Sequence, residues 1–168
     1  MKAHARALTR LIACVIGSVT LFTSASAVTL SASVKIAGME IHYKIVLPDD
    51  YDPTAAYRAV LAFPGAGQTM RNVDRMLEQN RRDEAERSGF IVISPAAPGA
   101  GLYFQGGAAA FPAFLDYLLE RYRVVARKFH VAGISNGGAS AFHVAAEHPD
   151  YFWSVTGLPG YLPYLTPQ

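Results

Sequence analysis

The sequence predicts an α/β fold built as a three-layer sandwich, with a mostly parallel sheet between helices. Two observations carry this reading. Short apolar runs rich in β-branched residues alternate with longer amphipathic stretches, the βα repeat of a parallel sheet. Four loops, PGAGQ, PAAPGAG, GISNGG and LPGYLP, fall where such a sheet forms its sites, beyond the C-terminal ends of strands.

At the start of the chain, Lys2, Arg6 and Arg10 precede an apolar run from Leu11 to Phe22 and the small-residue stretch TSASA. A helix needs about 20 apolar residues to cross a bilayer, and this run is much shorter. Ala25 and Ala27 supply an A-x-A cleavage pattern, so residues 1–27 are expected to be a secretory signal cleaved after Ala27. The expected product is periplasmic or secreted, has no stable membrane anchor, and forms one domain over residues 28–168. Leu11, Ile12, Ala13 and Cys14 also resemble a lipoprotein box, but only three apolar residues would then separate Arg10 from the cleavage point.

The whole chain carries a formal charge of +2, and loss of three basic leader residues brings it to −1. Such a surface offers no basic footprint for nucleic acid. Cys14 is the only cysteine. Its removal with the leader leaves neither disulfides nor thiolate ligands, and no metal or cofactor is expected. Hydrophobic residues make up 51% of the chain, ample for a buried core. Oligomeric state is not readable.

Val34 to Ile36 and Ile41 to Leu47 read as two strands joined through AGME, a hairpin at a sheet edge. PDDYDPTAAY is a polar, proline-bounded loop. RAVLAF (58–63) is continuously apolar, as suits a strand buried on both faces, and it ends in PGAGQ. A helix is predicted over 70–87, with Val73, Met76 and Leu77 on one face and RRDE on the other, ended by Gly89. FIVIS (90–94) is the next strand. A helix near 109–122, a strand over 128–134, a helix over 136–147 and a last apolar run over 152–158 complete the series.

The motif that carries chemistry is Gly133-Ile134-Ser135-Asn136-Gly137, matching G-x-S-x-G between a strand and a helix. There a sharp, strained turn holds a serine hydroxyl out beyond the sheet, and larger side chains at either glycine would clash. The alternative is a glycine-rich turn whose serine caps the following helix. A serine nucleophile also needs donors for an oxyanion. The N–H of Asn136, opening a helix, is one candidate. The N–H of Ala66, in PGAGQ, is the second, with Gly67 as fallback. PGAGQ is not a phosphate loop, since no lysine follows its second glycine, and Met70 occupies the place of the third glycine in G-x-G-x-x-G. Tyr103, Phe104, Leu158 and Tyr161 are candidates for a substrate pocket at the same rim, with loop packing as the alternative.

On YKIVLPDDYDP, VLAFPGAGQ, GFIVISPAA, KFHVAGISNGG and the AEHPDYF tail, the chain resembles the α/β-hydrolase superfamily. Within it, the similarity is to secreted feruloyl-esterase and polyhydroxybutyrate-depolymerase-like enzymes, over about residues 41 to 160. The resemblance implies an esterase with Ser135 as nucleophile and a small-molecule or polymeric ester as substrate. Two departures stand out. Pro64-Gly65 replaces the His-Gly common after the third strand. The family's Asp and His follow the serine on later strands, which this chain lacks, so the sequence is expected to hold the first two-thirds of the domain. His143 and His148 lie on or at the end of the helix that Ser135 opens, His42 and His130 lie within strands, and Asp150 comes too early. The chain is thus expected to be either a serine ester hydrolase or a non-catalytic remnant or binding module on the same scaffold.

Overall fold

The computed structural model describes residues 28–81, 85, 87–98, 102, 103, 105 and 108–160. The expected signal segment with Cys14, and the pocket candidates Phe104 and Tyr161, lie outside these residues.

Among the described residues six strands form one sheet: β1 (Val28–Ile36), β2 (Met39–Leu47), β3 (Tyr57–Phe63), β4 (Ile91–Pro95), β5 (Val124–Gly133) and β6 (Phe152–Gly157). Their order across the sheet is β1-β2-β4-β3-β5-β6. β1 and β2 form an antiparallel hairpin turned by Ala37 and Gly38, both at positive φ, and β2 runs antiparallel to β4. From β4 onward every neighbour is parallel. The hairpin at the edge and the parallel centre agree with the sequence expectation. β1 begins at Val28 rather than Val34: apolar and polar residues alternate from Val28 through Ile36, and the first four residues pair with β2 although they stay exposed.

Alternation along β3 divides the interior in two. Ala59, Leu61 and Phe63 point into the larger core with α2 (Phe111–Arg121) and α3 (Asn136–Glu147), while Ala62 points to the opposite face, against α1 (Met70–Met76). Helices therefore cover both faces. On the larger side Phe63, Tyr103, Phe111 and Phe114 form a connected group of rings, with centroids 5.1 to 6.1 Å apart. Phe63 is the last residue of β3, so this group lies directly under the loop that follows it. On the smaller side Val73 and Met76 of α1 meet Val92, and Lys44 of β2 pairs with Asp74.

The helix predicted over 70–87 is not uniform. Thr69 caps α1, which passes at Leu77 into a wider π-helical turn extending to Arg81. Val73, Met76 and Leu77 are nonetheless buried on one face, as their spacing requires. No helix among the described residues is long and apolar enough to cross a membrane.

β5 begins at Val124 rather than Lys128 and carries an irregularity near its start. Tyr57 pairs with Val124 and Ala59 with Phe129, so β5 uses five residues where β3 uses two. Ala126 and Arg127, at φ 51° and 56°, form the bulge. Above it the register is regular and ends with Phe63 opposite Gly133.

Candidate active site

Because Phe63 and Gly133 are paired, β3 and β5 release their loops at the same level of the sheet. The turn after β5 is tight. Ser135 has φ 53° and ψ −118°, a conformation that costs a residue with a Cβ of order 1–3 kcal/mol. The two flanking glycines explain how the chain closes so sharply. A Cβ on Gly133 would run into the backbone of Gly137, and one on Gly137 into the carbonyl of Phe63. Ser135 is exposed, and its side chain makes no capping hydrogen bond to α3. The capping alternative is therefore not what the structure contains.

The turn is held from two sides. The Ser135 N–H donates to Pro159 O at 2.8 Å, and the Leu158 N–H donates to Gly133 O at 2.9 Å, so the chain leaving β6 packs onto the elbow. On the other side Asn136 Nδ2 donates to Ala66 O at 3.1 Å. That bond brings together two residues read from sequence as oxyanion donors. Ala66 is exposed and lies at φ 55°. A Cβ on Gly65 would come 3.1 Å from Ile134 O, which measures how closely the two loops approach. A hollow of about 210 Å³ opens beside them, lined by Gly65, Ala66, Ile134 and, from α1, Asn72, Arg75 and Met76.

The candidate pocket residues separate. Tyr103 is fully buried: its ring packs on Phe63 and Phe111, and its hydroxyl donates to Ala96 O at 2.8 Å. It is a core residue beneath the site, consistent with the packing alternative. Burial also pushes its phenol well above the usual tyrosine range. Leu158 is 52% exposed at the rim. The four described histidines are engaged elsewhere. His130 Nδ1 lies 2.9 Å from Ser154 Oγ, His143 and His148 face Glu147, and His42 faces Glu40. His143 is eight positions along α3 from Ser135, about 12 Å at 1.5 Å per residue.

Sequence reasoning did not single out Gln68 or Ser140, the buried polar pair under the loop after β3. Gln68 Nε2 donates to Ser140 Oγ at 3.0 Å. The signal was a glutamine closing PGAGQ and a serine four residues after Asn136, but neither residue type announces burial.

No protein-family model and no curated protein matches the chain. Solved structures do. A thermostable esterase superposes with a TM-score of 0.61 at 20% identity, over 76% of this chain and 40% of its own. A mutant feruloyl esterase module from Clostridium thermocellum, complexed with sinapinate, gives 0.66 at 18% identity over 79% and 53%. The S-formylglutathione hydrolase from Agrobacterium tumefaciens gives 0.65 at 18% identity over 80% and 58%. The chain thus spans about half the length of these three structures, and it shares with these esterases the α/β-hydrolase fold.

Proposed function

We propose, from that fold and the geometry of its elbow, that the protein is an exported serine hydrolase of carboxylic esters. Ser135 is the nucleophile, and the amides of Asn136 and Ala66 are the oxyanion donors. The observation that supports this most is the conformation of Ser135. A strained, exposed serine, with its hydroxyl left unused by the helix it opens, is retained where strain serves a site.

In this mechanism Ser135 Oγ attacks the ester carbonyl carbon as its proton passes to a base. The carbonyl electrons move onto oxygen, which the Ala66 and Asn136 N–H groups then face. Collapse expels the alcohol and leaves an acyl-serine, which water cleaves to the acid. A serine without a base is a poor nucleophile, and the four described histidines are held away from Ser135 as set out above. This last observation favours a second reading, a scaffold that binds without turning over.

Two experiments separate the readings. A fluorophosphonate probe followed by peptide mapping should modify Ser135; modification elsewhere, or none, removes the hydrolase reading. Turnover of p-nitrophenyl butyrate, lost in Ser135→Ala, removes the binding-module reading. Export is tested by expression with and without residues 1–27 and recovery of the product outside the cytoplasm.

A further inference from the structure

Gln68 closes the loop after β3 and has no solvent exposure. Its side-chain oxygen accepts from the Tyr103 N–H at 2.9 Å and from Ser140 Oγ at 3.2 Å. Its side-chain nitrogen donates to the same Ser140 oxygen at 3.0 Å. Its backbone carbonyl accepts from the Ala97 N–H at 2.9 Å. One residue thus ties the loop to α3 and to two points, Ala97 and Tyr103, of the segment after β4.

Two further facts give this network a direction. Asn136 and Ser140 are four residues apart on α3, one turn along the same face, and both reach the loop: Asn136 at Ala66 O, Ser140 at the Gln68 amide. The loop between those contacts holds Ala66 and Gln68 at φ 55° and 51°. Two side-chain-bearing residues in the left-handed region within three positions persist only where the surroundings over-determine them. The Gln68 amide is the group that does so, because it is the loop's buried, multiply bonded anchor.

We propose that Gln68 is a positioning residue for this site: its buried amide, clasped by Ser140 and Tyr103, holds the loop in its left-handed form and fixes the Ala66 amide relative to Ser135. The inference rests on the reading of Ser135 as nucleophile and Ala66 as oxyanion donor. Gln68 itself touches no reacting atom. It acts by setting the distance between a donor and the oxygen that donor must meet.

The test uses the full chain with Gln68→Met, which keeps the length and removes the amide, Gln68→Glu, which keeps an acceptor for Tyr103 and Ser140, and Ser140→Ala. The first readout is fluorophosphonate modification of Ser135 against probe concentration. Misplacing a donor acts on the reaction step, so Gln68→Met should lower the limiting rate about 10- to 100-fold and leave the half-saturating concentration unchanged. Gln68→Glu should recover at least part of the loss. Gln68→Met and Ser140→Ala combined should fall short of the product of their separate effects, because they break the same bonds. The second readout is amide hydrogen exchange, which in Gln68→Met should rise about tenfold over residues 65–68 and stay unchanged in β3 and β4. A wild-type modification rate in Gln68→Met, unchanged loop exchange, or a uniform rise across β3, β4 and α3 would each overturn the proposal. If Ser135 of the wild-type chain is never modified, the hydrolase reading fails and exchange alone decides Gln68: local loosening supports its hold on the loop, and unchanged exchange removes it.

Discussion

The backbone N–H of Ser135 is bonded to the carbonyl oxygen of Pro159 at 2.8 Å, so the elbow is braced by the turn that follows β6. That brace depends on a close approach. A Cβ on Gly138 would lie 2.7 Å from Gly160 Cα and 2.9 Å from Pro159 O. Gly138→Ala should therefore push the turn away and break the Ser135 bond, at a cost of about 1–3 kcal/mol. Urea unfolding checks the stability, and slower fluorophosphonate modification of Ser135 checks the site.

Ser135 itself should be a source of instability. At φ 53° and ψ −118° a glycine would be unstrained, so Ser135→Gly is expected to stabilise the chain by about 1 kcal/mol, while Ser135→Ala, which keeps the Cβ, should not. Thermal melts of the three proteins test this. Equal midpoints for glycine and alanine would show that the turn is not strained.

Interior and surface contacts should differ sharply. Phe111 is fully buried and packs against Phe63, Tyr103 and Phe114, so Phe111→Ala should cost about 3–5 kcal/mol. The Lys44–Asp74 pair is partly solvated, at 22% and 40% side-chain exposure, and Asp74→Asn should cost about 1 kcal/mol or less. Denaturant midpoints at constant slope give both values.

Alkaline pH should unfold the protein through its tyrosines. Burial raises Tyr43 and Tyr103 above the ordinary range; for Tyr43 the Tyr117 hydrogen bond adds to it, and in Tyr151 a bond to Asp116 is the first cause. These groups are neutral in the fold and ionise more readily in the unfolded chain. Their contribution is complete below the unfolded value of about 10 and is lost progressively as pH rises above it. Tyrosinate absorbance at 295 nm should show exposed tyrosines titrating normally and a late group appearing together with loss of the circular dichroism signal.

Much of the scaffold was legible because each strand carries its own signature. RAVLAF reads as buried on both faces, and Ala59 and Leu61 to Phe63 are, while Arg58 at its start is exposed and Val60 half-buried; α3 runs from Asn136 to Glu147 as its pattern requires. The proximity of Ala66 and Asn136 was also legible, because strands that end together bring their loops together. Burial of polar groups was not. Gln68 and Ser140 carry no local mark of being inside, since their satisfaction depends on partners 72 residues apart in sequence. Tyr103 was left open for the complementary reason: an aromatic residue in a loop reads equally as pocket wall or as packing, and here its hydroxyl bonds Ala96 O and its ring joins the core.

The bulge at Ala126 and Arg127 has a consequence for how the chain tolerates change. The pairs from Phe129 to Gly133 fix the height of the elbow, while the surplus residues below them are looped out of the ladder. Slack at the foot of β5 lets a residue be gained or lost there while Ser135 stays level with the loop after β3. The same change above Phe129 would slip the register, lift one loop about 3.3 Å past the other and turn the strand's side chains to the wrong faces. One strand thus holds a stretch that is forgiving of length and a stretch that is not, and Ser135 stands at the end of the second.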